Sequence, residues 1–204
     1  MSLLSKKQQD KLTESVKKVE KVTDAELVTV LARASDNYHY IPTLWAAMFA
    51  LLTPGVLSFS PFWLGWFELI IAQSSVFVVL ALVFRLPFLK YKLVPNSVKK
   101  FRAEMMAKRM FLEQGLHHTK GETGILIFVS EAEHYVEILA DRGISDKVDN
   151  QVWQKIVNEF TAQVKKGAVL EGFETCIASV AEVVSDIAPA TEKKNELPDR
   201  LVLI

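Results

Sequence analysis

The chain has 204 residues, half of them hydrophobic, and its 24 basic residues balance 24 acidic ones. A neutral balance gives no electrostatic ground for nucleic acid as a partner. The single cysteine excludes an internal disulfide and fits a reducing compartment.

In chain order, residues 5–22 bring Leu4, Leu12, Val16 and Val19 to one side, with lysines elsewhere. That periodicity predicts a helix, and Thr23-Asp24 ends it. Residues 26–32 (ELVTVLA) are short, β-branched and nearly all apolar. They read as a strand covered on both faces.

Residues 41–84 then run apolar for more than forty positions with one charge, Glu68. A bilayer core needs about twenty apolar residues per helix. The two spans, 41–60 and 61–84, therefore read as a transmembrane helical hairpin over 41–86. Pro42 suits the first turn of a helix, and Thr53-Pro54-Gly55 reads as a break. Trp45, Trp63, Trp66 and Tyr91 fall near the expected interfaces. The turn at 58–65 has no Lys or Arg, whereas the flanks carry Arg33, Arg85, Lys90, Lys92, Lys99, Lys100 and Arg102. The positive-inside rule then places both termini in the cytoplasm and the protein in the inner membrane. The stretch follows some forty residues that read as folded, and it returns, so it is not read as a signal peptide. A buried helical hairpin of a soluble protein is the alternative.

Glu68 lies about two turns into the second span. There it can snorkel to the interface or be protonated. Gln73, Ser74 and Ser75 could make interhelical hydrogen bonds.

The basic run KYKLVPNSVKKFR and Lys108-Arg109 follow, as expected of a segment attracted to anionic lipid. Asn96-Ser97 can cap a helix to about residue 114, ended by Gly115 and HHTKGETG. Residues 124–130 (GILIFVS) and 134–140 (HYVEILA) read as an antiparallel strand pair turned by Glu131-Ala132-Glu133. Residues 141–146 read as a loop. Residues 149–166 and 168–187 are amphipathic helices separated by Gly167, and Pro189 ends the second. The tail TEKKNELPDR is polar and extended. Strands this apolar need helices on both faces. The expected fold is α/β: a three-layer α/β/α domain with a mixed sheet, formed by 1–35 and 91–204 and interrupted by the hairpin. Residues 1–35 cannot bury a core alone. Without their strand, the later part has an open sheet edge.

Helix, DAELVTVLARAS, GILIFVS, HYVEILADRGI and two amphipathic helices together resemble the TPM domain family. The likeness covers both soluble segments. It implies kinship with thylakoid-lumen and photosystem-repair proteins described as phosphatases, and with bacterial membrane proteins. It also implies metal or calcium binding and weak acid phosphatase activity as family properties. The family commonly has Gly-x-Gly-Leu after the third strand. Here Asp141-Arg142-Gly143-Ile144 stands there, with Asp141 in place of the first glycine. The proline that usually ends the next helix is absent near 159–161.

Asp141, Asp146 and Asp149 are the candidate metal ligands, since carboxylate oxygens suit Ca²⁺ or Mg²⁺. Their spacing matches no EF-hand. Asp149 equally suits a helix cap and Asp141-Arg142 a solvated turn. His117-His118, His39 and His134 show no zinc spacing. Lys120-Gly121-Glu122-Thr123-Gly124 lacks the P-loop pattern. Glu26 opens a strand whose family counterpart usually carries Glu. Cys176 falls on an apolar stripe, as a buried thiol would.

Three functions follow as expectations. The first is an interaction, assembly or quality-control factor whose partners are the lipid bilayer and other membrane proteins. The second is a metal-assisted phosphatase using the acidic loop. The third is a subunit of a channel or transporter, which would have to be a homo-oligomer because two helices enclose no pore. Carboxylates gathered around a concave pocket would favour the enzyme, and an acidic loop without a pocket the interaction factor. A polar stripe including Glu68 buried between protomers would favour the channel.

Overall fold

The computed structural model describes residues 4–19, 22–59, 61, 64–191 and 201–204. Two compact units emerge: Met1–Ser35 with Lys100–Ile204, and Asp36–Lys99.

In the first unit, helix α1 (Lys6–Val19) leads into strand β1 (Glu26–Ala32). The chain returns along α5 (Asn96–Glu113) and a 3₁₀ turn at Leu116–His118 into β2 (Gly124–Ser130) and β3 (Tyr135–Ala140). A short turn of helix, α6 (Arg142–Ser145), precedes α7 (Asn150–Lys165) and α8 (Val169–Ser185). Strand β4 (Leu201–Leu203) follows. The sheet is mixed, with order β3-β2-β1-β4. β1 runs parallel to β2, with Glu26 opposite Gly124 and Ala32 opposite Ser130. It also runs parallel to β4, while β2 and β3 are antiparallel. Parallel neighbours cannot be joined by a tight turn and need a long crossover. Here the crossover is the intervening second unit plus α5.

Every residue of β1 and β2 is buried. Their alternation sorts the core into two layers. Leu27, Leu31, Ile125, Ile127 and Val129 join Leu12 and Val16 of α1, Phe160 of α7 and Phe173 and Val180 of α8. Val28, Val30, Leu126 and Phe128 join Ala103, Ala107 and Met110 of α5. Phe160 and Phe173 meet edge to face, with centroids 4.8 Å apart. Truncating either buried ring to alanine should cost about 3–5 kcal/mol.

The second unit holds α2 (Tyr40–Ser58), α3 (Trp66–Val83) and α4 (Pro87–Leu93). Small residues let α2 approach α3 closely: Ala46 and Ala50 are buried, one turn apart. Phe49 of α2 meets Phe84 just past α3 at 6.1 Å between centroids. At the base Tyr38, Ile41 and Val94 are buried, and Tyr38 meets Tyr91 edge to face. Trp45 Nε1–H donates to the Leu93 carbonyl at 3.2 Å. No residue of α3 is buried. Both α2 and α3 are long and apolar enough to cross a membrane.

Several expectations change. The break at 53–55 is absent: α2 continues through Pro54 to Ser58. Proline removes one backbone donor, which a long apolar helix tolerates where neighbouring groups readjust. Residues 141–146 form a helical turn, because Asp141 caps it through its own side chain. The α4 helix was not anticipated. Pro87 at its start is pre-set for a first turn. Strand β4 is a further addition to the expected elements. Trp63 and the tail at 192–200 lie outside the described residues.

Candidate functional site

The acidic loop adjoins the start of β2. Asp141 N–H donates to the Gly124 carbonyl at 2.8 Å, closing the β2–β3 ladder. Asp141 Oδ1 accepts from Arg142 N–H at 2.8 Å, while its Oδ2 is buried without a hydrogen-bond partner. Asp146 ends α6 and sits 3.5 Å from Arg142 Nε. Asp149 caps α7, with Oδ1 accepting from Gln151 N–H at 2.8 Å. Asp141 and Asp149 thus serve the backbone next to them, and Asp146 faces the Arg142 side chain. Among the described residues, no three His, Cys, Asp or Glu side chains are grouped to hold a metal ion. The donor set of six or more oxygens that Ca²⁺ favours is not assembled by these aspartates.

The same loop explains the departure from Gly-x-Gly. Asp141 has φ −71° and ψ 169°, extended backbone open to any residue. Gly143 differs: a Cβ there would collide with the carbonyl oxygens of Gly121 and Glu122. Its N–H donates to the Glu122 carbonyl at 2.9 Å. Glycine is needed at the second position because two backbones touch there.

The remaining candidates have local roles. The His117 and His118 rings contact each other, with centroids 3.8 Å apart. The loop at 119–124 is a turn in which Thr123 N–H donates to Thr119 Oγ1. Glu26 is buried, and its N–H donates to the Thr123 carbonyl. Burial pushes the Cys176 thiol up to about 12, so it is protonated and inert at neutral pH. Glu68 is exposed, and its Oε2 accepts from Gly65 N–H at 2.8 Å. The one charge in the apolar spans therefore caps α3.

The far end of β2 holds features that spacing did not reveal. Glu133, buried in the β2–β3 turn, accepts from Ser35 N–H and from Ser130 Oγ. Beside it opens a hollow of about 390 Å³. Its walls are mainly Val129, Val136, Phe160, Val164 and Val169, with Thr161 and Lys165 among the polar residues. Gly167, at φ 83°, turns the chain sharply between α7 and α8 beside it. On the opposite face of β3, Tyr135 Oη–H donates to Glu137 Oε2 at 3.0 Å. Burial raises Glu137 above the usual carboxylate range and also raises Tyr135. Only the Gly167 turn signal in the sequence pointed toward the hollow. The rest depends on how α7 and α8 cross the sheet.

An α/β domain with a mixed four-stranded sheet, interrupted by two long apolar helices, is the class these features define. Residues 93–183 match the model of the TPM domain family. Among solved structures it is similar to the NMR structure of BA42 protein from the psychrophilic bacterium Bizionia argentinensis sp. nov.. The two share 16% identity over 98% of this chain and 94% of that one, with a TM-score of 0.61, which shows a common fold. No curated protein matches.

Proposed function

We propose that this chain is a membrane-anchored binding domain. The α2–α3 hairpin crosses the inner membrane, and the TPM domain works on the cytoplasmic side as an interaction, assembly or quality-control factor for other membrane proteins. The observation that carries the placement is α3, an apolar helix with no buried residue. A helix apolar all round belongs in a large core or a bilayer, and no core covers this one. Eighteen residues span about 27 Å, close to the thickness of bilayer hydrocarbon. Residues 85–113 carry eight Lys or Arg against two Glu, in a chain that is neutral overall. That local excess suits anionic headgroups. On α5, Phe101, Met105 and Leu112 are exposed opposite the buried Ala103, Ala107 and Met110.

Binding is favoured over hydrolysis by the lining of the hollow, which is apolar and stands apart from the acidic loop. A metal-assisted phosphatase would need the aspartates gathered at a concave site. A channel would need Glu68 in a polar stripe between protomers, whereas here it caps its own helix.

The test is co-purification of the full chain from mild detergent, with photo-crosslinkers at Leu44 and Val79 on the exposed faces of α2 and α3. Reproducible crosslinks to other integral membrane proteins are expected. Crosslinks confined to lipid, with no co-purified protein, would overturn the assembly role.

A further inference from the structure

We propose that the outer edge of β3 is the docking site for an extended segment of a partner protein. The segment joins the sheet as a fifth strand and seats one apolar side chain on each face. This rests on the binding-domain reading above and specifies where and what the domain binds.

β3 ends the strand order, so β2 is its only neighbour in the sheet. The bond from Asp141 N–H to Gly124 C=O sets the phase of the ladder. Bonded residues alternate in an antiparallel pair. Leu139, Glu137 and Tyr135 therefore bond β2, while Val136, Ile138 and Ala140 turn their N–H and C=O groups outward. Among the described residues nothing bonds to those outward groups. Edge strands are commonly protected by proline, lysine or a bulge. YVEILA has neither residue, its one charged residue, Glu137, is half-buried and accepts from Tyr135, and its pairing with β2 runs without a bulge.

Two hollows flank this edge on opposite faces. The larger, about 390 Å³, lies beside Val136 on the face of α7 and α8. The smaller, about 260 Å³, lies beside Leu139 on the face of α5, among Lys108, Phe111, Leu112 and Ala140. Val136 and Leu139 are three residues apart, and odd spacing in a strand puts side chains on opposite faces. A strand laid along β3 would deliver its residues i and i+3 to the two hollows. Its main chain would supply affinity and its alternate side chains specificity. Lys165 lines the larger hollow opposite apolar walls, which favours an acidic residue next to the one seated there. Glu131 lines the same hollow and repels an acidic residue, so that residue is favoured only beside Lys165.

The probe is a pool of fluorescein-labelled eight-residue peptides. Each carries Val, Ile, Leu or Phe at positions three and six, and Glu at position two or four. Binding to the full chain in lipid nanodiscs is read by anisotropy. The best binder is then N-methylated at alternate amides. Methylation of the set facing β3 should weaken binding by about tenfold or more, and methylation of the other set should leave it unchanged. Thr161→Arg fills the larger hollow, and Leu112→Lys charges the exposed rim of the smaller. Each should cause a similar loss at unchanged melting temperature. The proposal is overturned if no pool member binds, if both methylated sets behave alike, if both variants bind as the parent does, or if β3 instead pairs two copies of this chain. Co-purified partners retained by both variants would remove this edge and leave the binding-domain reading standing. Peptide binding with no co-purified partner would do the reverse.

Discussion

The backbone N–H of Ser35 lies 3.0 Å from Oε1 of the buried Glu133. The chain leaves the α/β unit just after this residue. The same carboxylate accepts from Ser130 Oγ, and Ser35 Oγ donates to Ser130 Oγ at 3.0 Å. The exit from β1 is thereby tied to the β2–β3 turn. Glu133→Ala leaves Ser35 N–H and the Ser130 hydroxyl without this acceptor. A buried group so orphaned costs about 1–3 kcal/mol. A melting temperature lower by several degrees is expected from thermal denaturation in detergent. An unchanged value would show that solvent replaces the carboxylate.

Gly143→Ala should be more damaging than Asp141→Gly. The added methyl meets two carbonyl oxygens that belong to fixed backbone, so the loop must move. Overpacking of this kind costs about 1–3 kcal/mol. Asp141→Gly removes a cap from a four-residue helix and changes no forced backbone angle. Comparing the two melting temperatures tests the order, and a smaller loss for Gly143→Ala would refute the close-approach argument.

Glu137 gives the fold a pH dependence whose sign can be worked out. Burial raises its folded pKa, the Tyr135 hydrogen bond opposes that, and the nearby Glu104 adds to it. The folded state then holds the proton to higher pH than the unfolded state. Stability is greatest below the ordinary value of 4.5 and falls as pH rises through the raised folded value. Glu137→Gln should flatten that slope and stabilise the protein at neutral pH. The side chain is half exposed, so screening keeps the gain under about 1 kcal/mol. Urea unfolding of both proteins at several pH values checks this, and a parent stability that rises across the same window would contradict it.

β1 sits between β2 and β4, so residues 91–204 alone lack an interior strand. That fragment should aggregate through the bared edge of β2. Joining 1–35 to 91–204 with a short Gly/Ser linker should restore a soluble fold. A well-dispersed NMR spectrum from 91–204 alone would contradict the discontinuous domain.

The strands were legible wherever apolar residues ran without interruption. ELVTVLA and GILIFVS are buried on both faces and leave no ambiguity of period. The helices α7 and α8 were legible for the complementary reason, since their apolar residues keep to one arc. β4 was not legible, because its three residues take their conformation from pairing with Thr29, Val30 and Leu31, a long-range partner that local pattern cannot name. The aspartates of 141–149 were legible as carboxylates near helix starts, but capping and metal binding draw on the same residue types. Only the fold shows Asp141 and Asp149 engaged with neighbouring backbone and Asp146 with Arg142. The hollow beside Val136 is a property of helix placement, and its apolar walls look in sequence like any other core.

The most direct measurement is cysteine labelling of intact cells with a membrane-impermeant maleimide. Ser58→Cys places a probe at the end of α2, and Ser5→Cys and Thr191→Cys place probes on the α/β unit. Cys176 is buried and should stay silent in folded protein. The account predicts labelling at position 58 from outside and none at 5 or 191 until the cells are opened. Labelling at 5 and 191 with position 58 protected would invert the topology. Protection of position 58 in intact and opened cells alike would contradict a hairpin that crosses the membrane.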